Sequence, residues 1–308
     1  MARSLVALAA AAVLTIGCSG EAPGADTAKA PRAASAPAQR SGPALWVVKD
    51  SDTTIYLFGT VHLLPRDFAW RSPVVDKAFD AADTLVLEVI GTDDAAKVQP
   101  VIMELGFTPG MPPLAERVPA DMTDELQAAI RDADVPAAAV DAMETWLATM
   151  TLATGRIVRL GYSPESGVEA VLKAKAVADR KRIEALETLR EQLGFFDTLP
   201  EAEQRTMLAA SLDDLDNIEA LVKTTVADWV RGDVDKVAAA LEEDISASPA
   251  LAKRLLTDRN ANWAAWIDAR LRSTPGTVFV AVGTGHLAGS DSVQAKLRER
   301  GLHSVRLN

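Results

Sequence analysis

A chain of 308 residues with 48% hydrophobic and 24% charged residues has an ordinary globular composition, which excludes intrinsic disorder for most of its length. Its net charge of −11 excludes nucleic acid as a partner, because phosphate binding needs a surplus of Lys and Arg and no basic stripe occurs along it. The single cysteine, Cys18, excludes an internal disulfide and a thiol-rich metal site.

The first predicted element is a leader. Arg3 is followed by a run from Leu5 to Ile16 that is apolar except for Thr15. This run is too short for a membrane-spanning helix, which needs roughly 20 residues. A basic start followed by such a run reads as an export signal. It ends in T-I-G-C, with Gly17 just before Cys18, as a lipoprotein cleavage box does; Thr15 stands where leucine is usual. Residues 1–18 are therefore expected to be a lipoprotein signal peptide, with Cys18 as the lipidation site and the membrane reached through that anchor. Ordinary signal cleavage after Ala22 or Ala25 is the alternative. Ser19 lacks the acidic character linked to inner-membrane retention, so the expected location is periplasm-facing, on the outer membrane. Residues 19–43 are rich in Ala, Pro, Ser and Gly and are expected to form a disordered tether. The remaining stretch, 44–308, is about 265 residues long, enough for one large domain.

Leu45 to Val48 and Thr53 to Phe58 are β-rich runs separated by the turn-like Lys49-Asp50-Ser51-Asp52, and predict a hairpin. Ser72 followed by Pro73 predicts a helix start, with Val74, Val75, Ala78 and Phe79 on one face. Thr84 to Val89 is almost wholly apolar and predicts a buried strand. From Asp93 to Ile157 the pattern is mostly helical, with segments beginning at Asp121 and at Val135-Pro136. G-Y-S-P-E-S-G-V-E then reads as a turn followed by an amphipathic helix, and Arg182 to Leu186 as a short strand. A long helical stretch runs from Pro200 to about Arg272, interrupted near Gly232 and Ser248-Pro249. The chain closes with a strand from Thr277 to Val282, a helix from Ser292 to Arg300 and a strand from Ser304 to Leu307. Strands at both ends around a helical middle predict an α/β fold: a central sheet from N- and C-terminal strands, flanking helices and a large helical insert.

Only three histidines occur, and two share one context. Gly59-Thr60-Val61-His62-Leu63 follows one predicted strand and Gly283-Thr284-Gly285-His286-Leu287 follows another. Glycine lets the backbone turn sharply as it leaves a sheet, and open α/β sheets bind ligands just beyond their strand ends. Two such loops would aim two imidazoles into one crevice. Glu88, near the end of an apolar strand where an unpaired carboxylate is costly, is the third candidate. Two His and one carboxylate form a common first shell for a catalytic divalent metal, here Mn, Co or Zn. Glu88 facing solvent at a strand end is the alternative. Trp263 and Trp266, with Ile267 and Leu271, sit at helical spacing and read as core. His303 reads as a surface residue and Glu242-Glu243-Asp244 as a solvated acidic run.

Six segments in order, F-G-T-V-H-L-L-P, L-V-L-E-V, G-Y-S-P-E-S-G-V-E, L-E-T-L-R-E-Q, R-N-A-N-W and V-G-T-G-H-L-A-G, resemble the TraB/GumN family. The wider group includes the Tiki metalloproteases and is distantly similar to erythromycin esterase-like proteins. The resemblance implies that His62, Glu88 and His286 belong to the site, with Glu169, Glu187 and Gln192 beside them, and that Arg259 and Asn260 match the family's R-N pair. It implies divalent-metal-dependent hydrolysis of an amide, with Glu187 or Glu169 activating water and Arg259 steadying negative charge. For Arg259 and these two glutamates a buried ion-pair network is the alternative role. The expected partner is a peptide or small-molecule substrate. A non-catalytic peptide-binding module and a metal-independent esterase-like enzyme are the competing expectations.

Overall fold

β-Branched and aromatic runs form the strands, and the order of those strands decides which loops meet. The computed structural model of the chain describes residues 42–245 and 249–308, with side chains described outside 241–249. The predicted leader with Cys18, residues 19–41 of the predicted tether and the side chains of Glu242-Glu243-Asp244 lie outside the described residues. Pro43, the last residue of the predicted tether, is buried, and its carbonyl accepts from Asn308 Nδ2 at 2.8 Å.

The strands are β1 (Leu45–Lys49), β2 (Thr53–Thr60), β3 (Leu64–Pro65), β4 (Thr84–Leu87), β5 (Tyr162–Ser163), β6 (Arg182–Ala185), β7 (Gly276–Gly283) and β8 (Val305–Arg306). Six of them form one sheet in the order β6-β4-β7-β2-β1-β8, and β3 pairs with β5 in a small separate sheet. β6, β4, β7 and β2 run parallel, while β1 is antiparallel to both neighbours. The β1–β2 turn closes where Asp50 Oδ1 accepts from the N–H groups of Asp52 (3.1 Å) and Thr53 (2.8 Å), a local bond that favours turn over strand. All four β4 residues are buried, the pattern of a strand covered on both faces.

Side-chain alternation splits the core into two layers. Val278, Val280 and Val282 of β7 pack with Val86 and with Trp263, Ile267 and Leu271 of the helix Asp258–Ser273. Phe279 and Ala281 face the other way, with Phe58, Leu85 and Leu87, against the helix Pro73–Ala81 and the larger helical mass. Ser72 caps that helix, its Oγ accepting from the Val75 N–H, and Pro73 occupies the first turn, where no amide donor is needed. The fold is thus the α/β arrangement expected, with the large helical middle divided into two excursions, one between β4 and β6 and the other between β6 and β7. The second is broken at Leu215–Asn217 as well as at Gly232, a break that no Gly or Pro announces. Among the described residues no helix is long and apolar enough to cross a membrane.

Candidate functional site

Parallel strands end on one side of a sheet, and here four neighbouring strand ends each deliver one polar side chain. His62 lies two residues past β2, Glu88 one past β4, Glu187 two past β6 and His286 three past β7. Residues separated by more than two hundred positions meet because β2 and β7 are adjacent, with Thr60 opposite Gly283. Val86 faces the layer of helix Asp258–Ser273, and two residues on Glu88 shares that face, where Arg259 occupies the helix's first turn. Glu169 comes from the first turn of the helix Val168–Ala178.

The motif glycines serve close approach rather than a left-handed turn. Gly283 has φ −48°, and a Cβ there would lie 3.2 Å from Glu88 Oε1, 3.6 Å from His286 Cδ2 and 3.7 Å from His62 Nε2. A Cβ at Gly59 would come within 2.8 Å of Thr284 Oγ1, so the two motif loops pack only because it is absent. Glu88 Oε1, His62 Nε2 and the Cδ2 edge of the His286 ring thus crowd around Gly283, and a side chain there would press on the Glu88 carboxylate.

Glu88 is buried and fully engaged. Its Oε1 accepts from the Gly283 N–H at 2.6 Å, and its Oε2 from Arg259 Nη2 at 2.7 Å and Gln192 Nε2 at 3.0 Å. Burial alone would raise its pKa, but the positive field of Arg259, with the nearby histidines and the Gly283 amide, holds it at about 2. Glu187 accepts from Arg259 Nε at 2.8 Å and Nη2 at 2.9 Å, and from Trp263 Nε1 at 3.0 Å. Burial wins for Glu187, raising its pKa despite the guanidinium. Arg259 also donates to the Leu255 carbonyl at 3.2 Å and lies 3.1 Å from His286 Nε2, so all five of its N–H donors have a partner. For Arg259, Glu187 and Glu88 the structure thus shows a buried ion-pair network. Trp263, read from the sequence as core, both donates to this network and lies against the His286 ring at a centroid distance of 4.3 Å.

Hydrogen bonds settle the His286 tautomer. Asn260 Nδ2 donates to the Asp291 carbonyl at 2.9 Å, which turns Asn260 Oδ1 toward His286 Nδ1, 2.7 Å away. Nδ1 must then carry the proton, leaving the Nε2 lone pair toward Arg259 and Glu88. Burial, reinforced by Arg259 against the opposing pull of Glu88, lowers the His286 pKa to about 3, so the ring is neutral. His62 is held similarly, with Nδ1 2.6 Å from Glu169 Oε1. Thr60 Oγ1 donates to the same oxygen, while Glu169 Oε2 is buried without a hydrogen bond among the described residues.

Two neutral-capable imidazoles, each with Nδ1 tied to an oxygen, and an ionised carboxylate are a donor set that suits a divalent metal. As placed, these groups form a hydrogen-bonded cluster: among the described residues no three His, Cys, Asp or Glu side chains are arranged to hold a metal ion, and Arg259 touches both Glu88 and His286. A cavity of about 610 Å³ opens beside the cluster, lined by His62, Glu88, Glu169 and Gln192 and edged by the exposed Ile90 and Val177. Glu187 and Arg259 do not line it. His303 is exposed and does not line the cavity.

No curated protein and no solved structure is matched by the chain. The model of the TraB/PrgY/gumN family matches residues 44–306, a span that takes in every strand end and every residue of the cluster. The chain belongs to the TraB/PrgY/gumN family.

Proposed function

We propose that the protein is a hydrolase of amide bonds in peptides, with a divalent Mn, Co or Zn ion held by His62, Glu88 and His286. The observation that carries this reading is the gathering of Glu88 Oε1, His62 Nε2 and the His286 ring around Gly283, beside a cavity large enough for a peptide segment. Such an ion, when bound, polarises a carbonyl and lowers the pKa of water. Glu169 lines the cavity and takes the proton of the attacking water on its carboxylate. The water oxygen bonds to the carbonyl carbon, the C–N bond breaks, and Glu169 returns the proton to the departing amine. Arg259 and Glu187 act one step back. Their ion pair fixes the Glu88 carboxylate and, through the His286 contact, the ring plane, which makes them positioning residues.

Export as a lipoprotein anchored at Cys18 and facing the periplasm belongs to the same proposal and is supported by the leader composition. A metal-independent hydrolase has one observation in its favour: Arg259 already sits at 3.1 Å from His286 Nε2. Metal content and cleavage of a quenched fluorescent peptide library, measured on the full chain and on the His62→Ala/His286→Ala variant, decide between them. Near-stoichiometric metal and cleavage in the first, and neither in the second, is the expected result. Cleavage that persists after the wild type has been refilled with each ion and still holds none overturns the metal. Peptide binding without cleavage, retained in His62→Ala, overturns catalysis.

A further inference from the structure

His62 lines two cavities. One is the polar cleft beside Glu88 and Glu169; the other, about 70 Å³ and partly open, shares only His62 with it. Both motif loops line this smaller cavity, through Val61 and Gly285 among others. Leu221, Val222 and Val226 of the helix Ile218–Val230 and Val237 of the next helix make much of the remaining wall. Apart from His62, no titratable side chain lines it among the described residues. Thr60, Thr225 and Thr284 also line it, but most of the wall is aliphatic, so a charged occupant would lose hydration that these groups replace only in small part.

Size narrows the occupant. Aliphatic cavities of roughly 150 Å³ accept benzene, and this one has about half that volume, room for two or three methyl-sized groups. Position narrows it further, since an occupant would lie against both loops that carry the site histidines. Given the hydrolase reading, on which this step rests, the geometry points to a specificity subsite. It takes a small branched aliphatic substituent, of the size of a valine side chain, next to the carbonyl attacked in the cleft. Aromatic and charged substituents are excluded, the first by volume and the second by desolvation. Apolar pockets of this kind discriminate single methylenes by about 10- to 200-fold.

The test uses acetamide, isobutyramide and benzamide as probes, titrated into the methyl-labelled full chain and followed by NMR. Isobutyramide is expected to shift the methyl signals of Leu221, Val222, Val226 and Val237 at a concentration at least tenfold below that needed for acetamide, and benzamide not to shift them. Ala240→Leu, which adds bulk to the lining, is expected to weaken isobutyramide at least tenfold. Leu221→Ala, which enlarges the cavity, is expected to admit benzamide. Shifts confined to Ile90 and Val177 at the rim of the other cavity, or the same probe ranking in wild type and both variants, overturn the subsite. Binding is read without turnover. A chain that cleaves peptides yet shows none of these shifts refutes the subsite alone, whereas the shifts without peptide cleavage tell against the hydrolase reading alone.

Discussion

Replacing Arg259 with methionine tests whether the buried ion network organises the site. Arg259 and its partners are almost fully buried: the side chains of Arg259, Glu88 and Glu187 are 7%, 7% and 9% exposed. Methionine keeps much of the volume but leaves two carboxylates in a low-dielectric layer without their cation. The fall of the Glu88 carboxyl from 4.5 to about 2 corresponds to about 3 kcal/mol of preference for its ionised form, shared among Arg259, the histidines and the Gly283 amide. Breaking one side of a buried pair generally costs about 3–5 kcal/mol, and the same range is expected here at pH 7. A depressed carboxylate contributes stability that is present above its unfolded value and lost as pH falls through its folded value. In the wild type the Glu88 contribution therefore persists down to about pH 4.5 and fades toward pH 2. In the variant burial acts unopposed by Arg259 on both Glu88 and Glu187, so both take up protons more readily as the pH falls. The gap between variant and wild type should thus narrow from pH 7 to pH 5. Urea unfolding followed by tryptophan fluorescence at both pH values measures it. A gap under about 1 kcal/mol at pH 7, or an equal gap at both, refutes the network as described.

Two further outcomes follow from the same geometry. Gly283→Ala keeps an accessible backbone conformation but places a Cβ 3.2 Å from Glu88 Oε1; thermal unfolding should report a loss of about 1 kcal/mol, while calorimetric Mn affinity falls at least tenfold, and unchanged affinity would rule out the space at Gly283 as the metal position. Nitrogen-15 NMR of the imidazoles should show His286 neutral and protonated on Nδ1 down to pH 5, and Asn260→Ala should release that tautomer at a stability cost of about 1–3 kcal/mol; an Nε2-protonated ring in the wild type contradicts the assignment.

The elements that periodicity and local chemistry control were readable from the chain alone. Apolar runs marked β2, β4 and β7, and the Ser72-Pro73 signal marked a helix start, because each depends on neighbours in sequence. The repeated G-T-x-H-L context and the buried glutamate singled out His62, Glu88 and His286 for the same reason. Trp263 did not stand out as a site residue, since a helical apolar stripe looks the same whether or not one indole N–H meets a carboxylate. The motif glycines also have a role beyond letting the chain turn as it leaves the sheet. Their need lies in what packs against them, Glu88 in one case and Thr284 in the other, and no local pattern carries that.

The order β6-β4-β7-β2 was decided only in three dimensions, because parallel pairing joins segments whose separation in sequence says nothing of their register. That order brings four strand ends together and gives each titratable group its surroundings. Residue types determined which groups are able to bind a cation or carry a proton. Burial and the placement of Arg259 decided which are charged: Glu88 is ionised and His286 neutral, because desolvation and nearby charge act through space rather than along the chain.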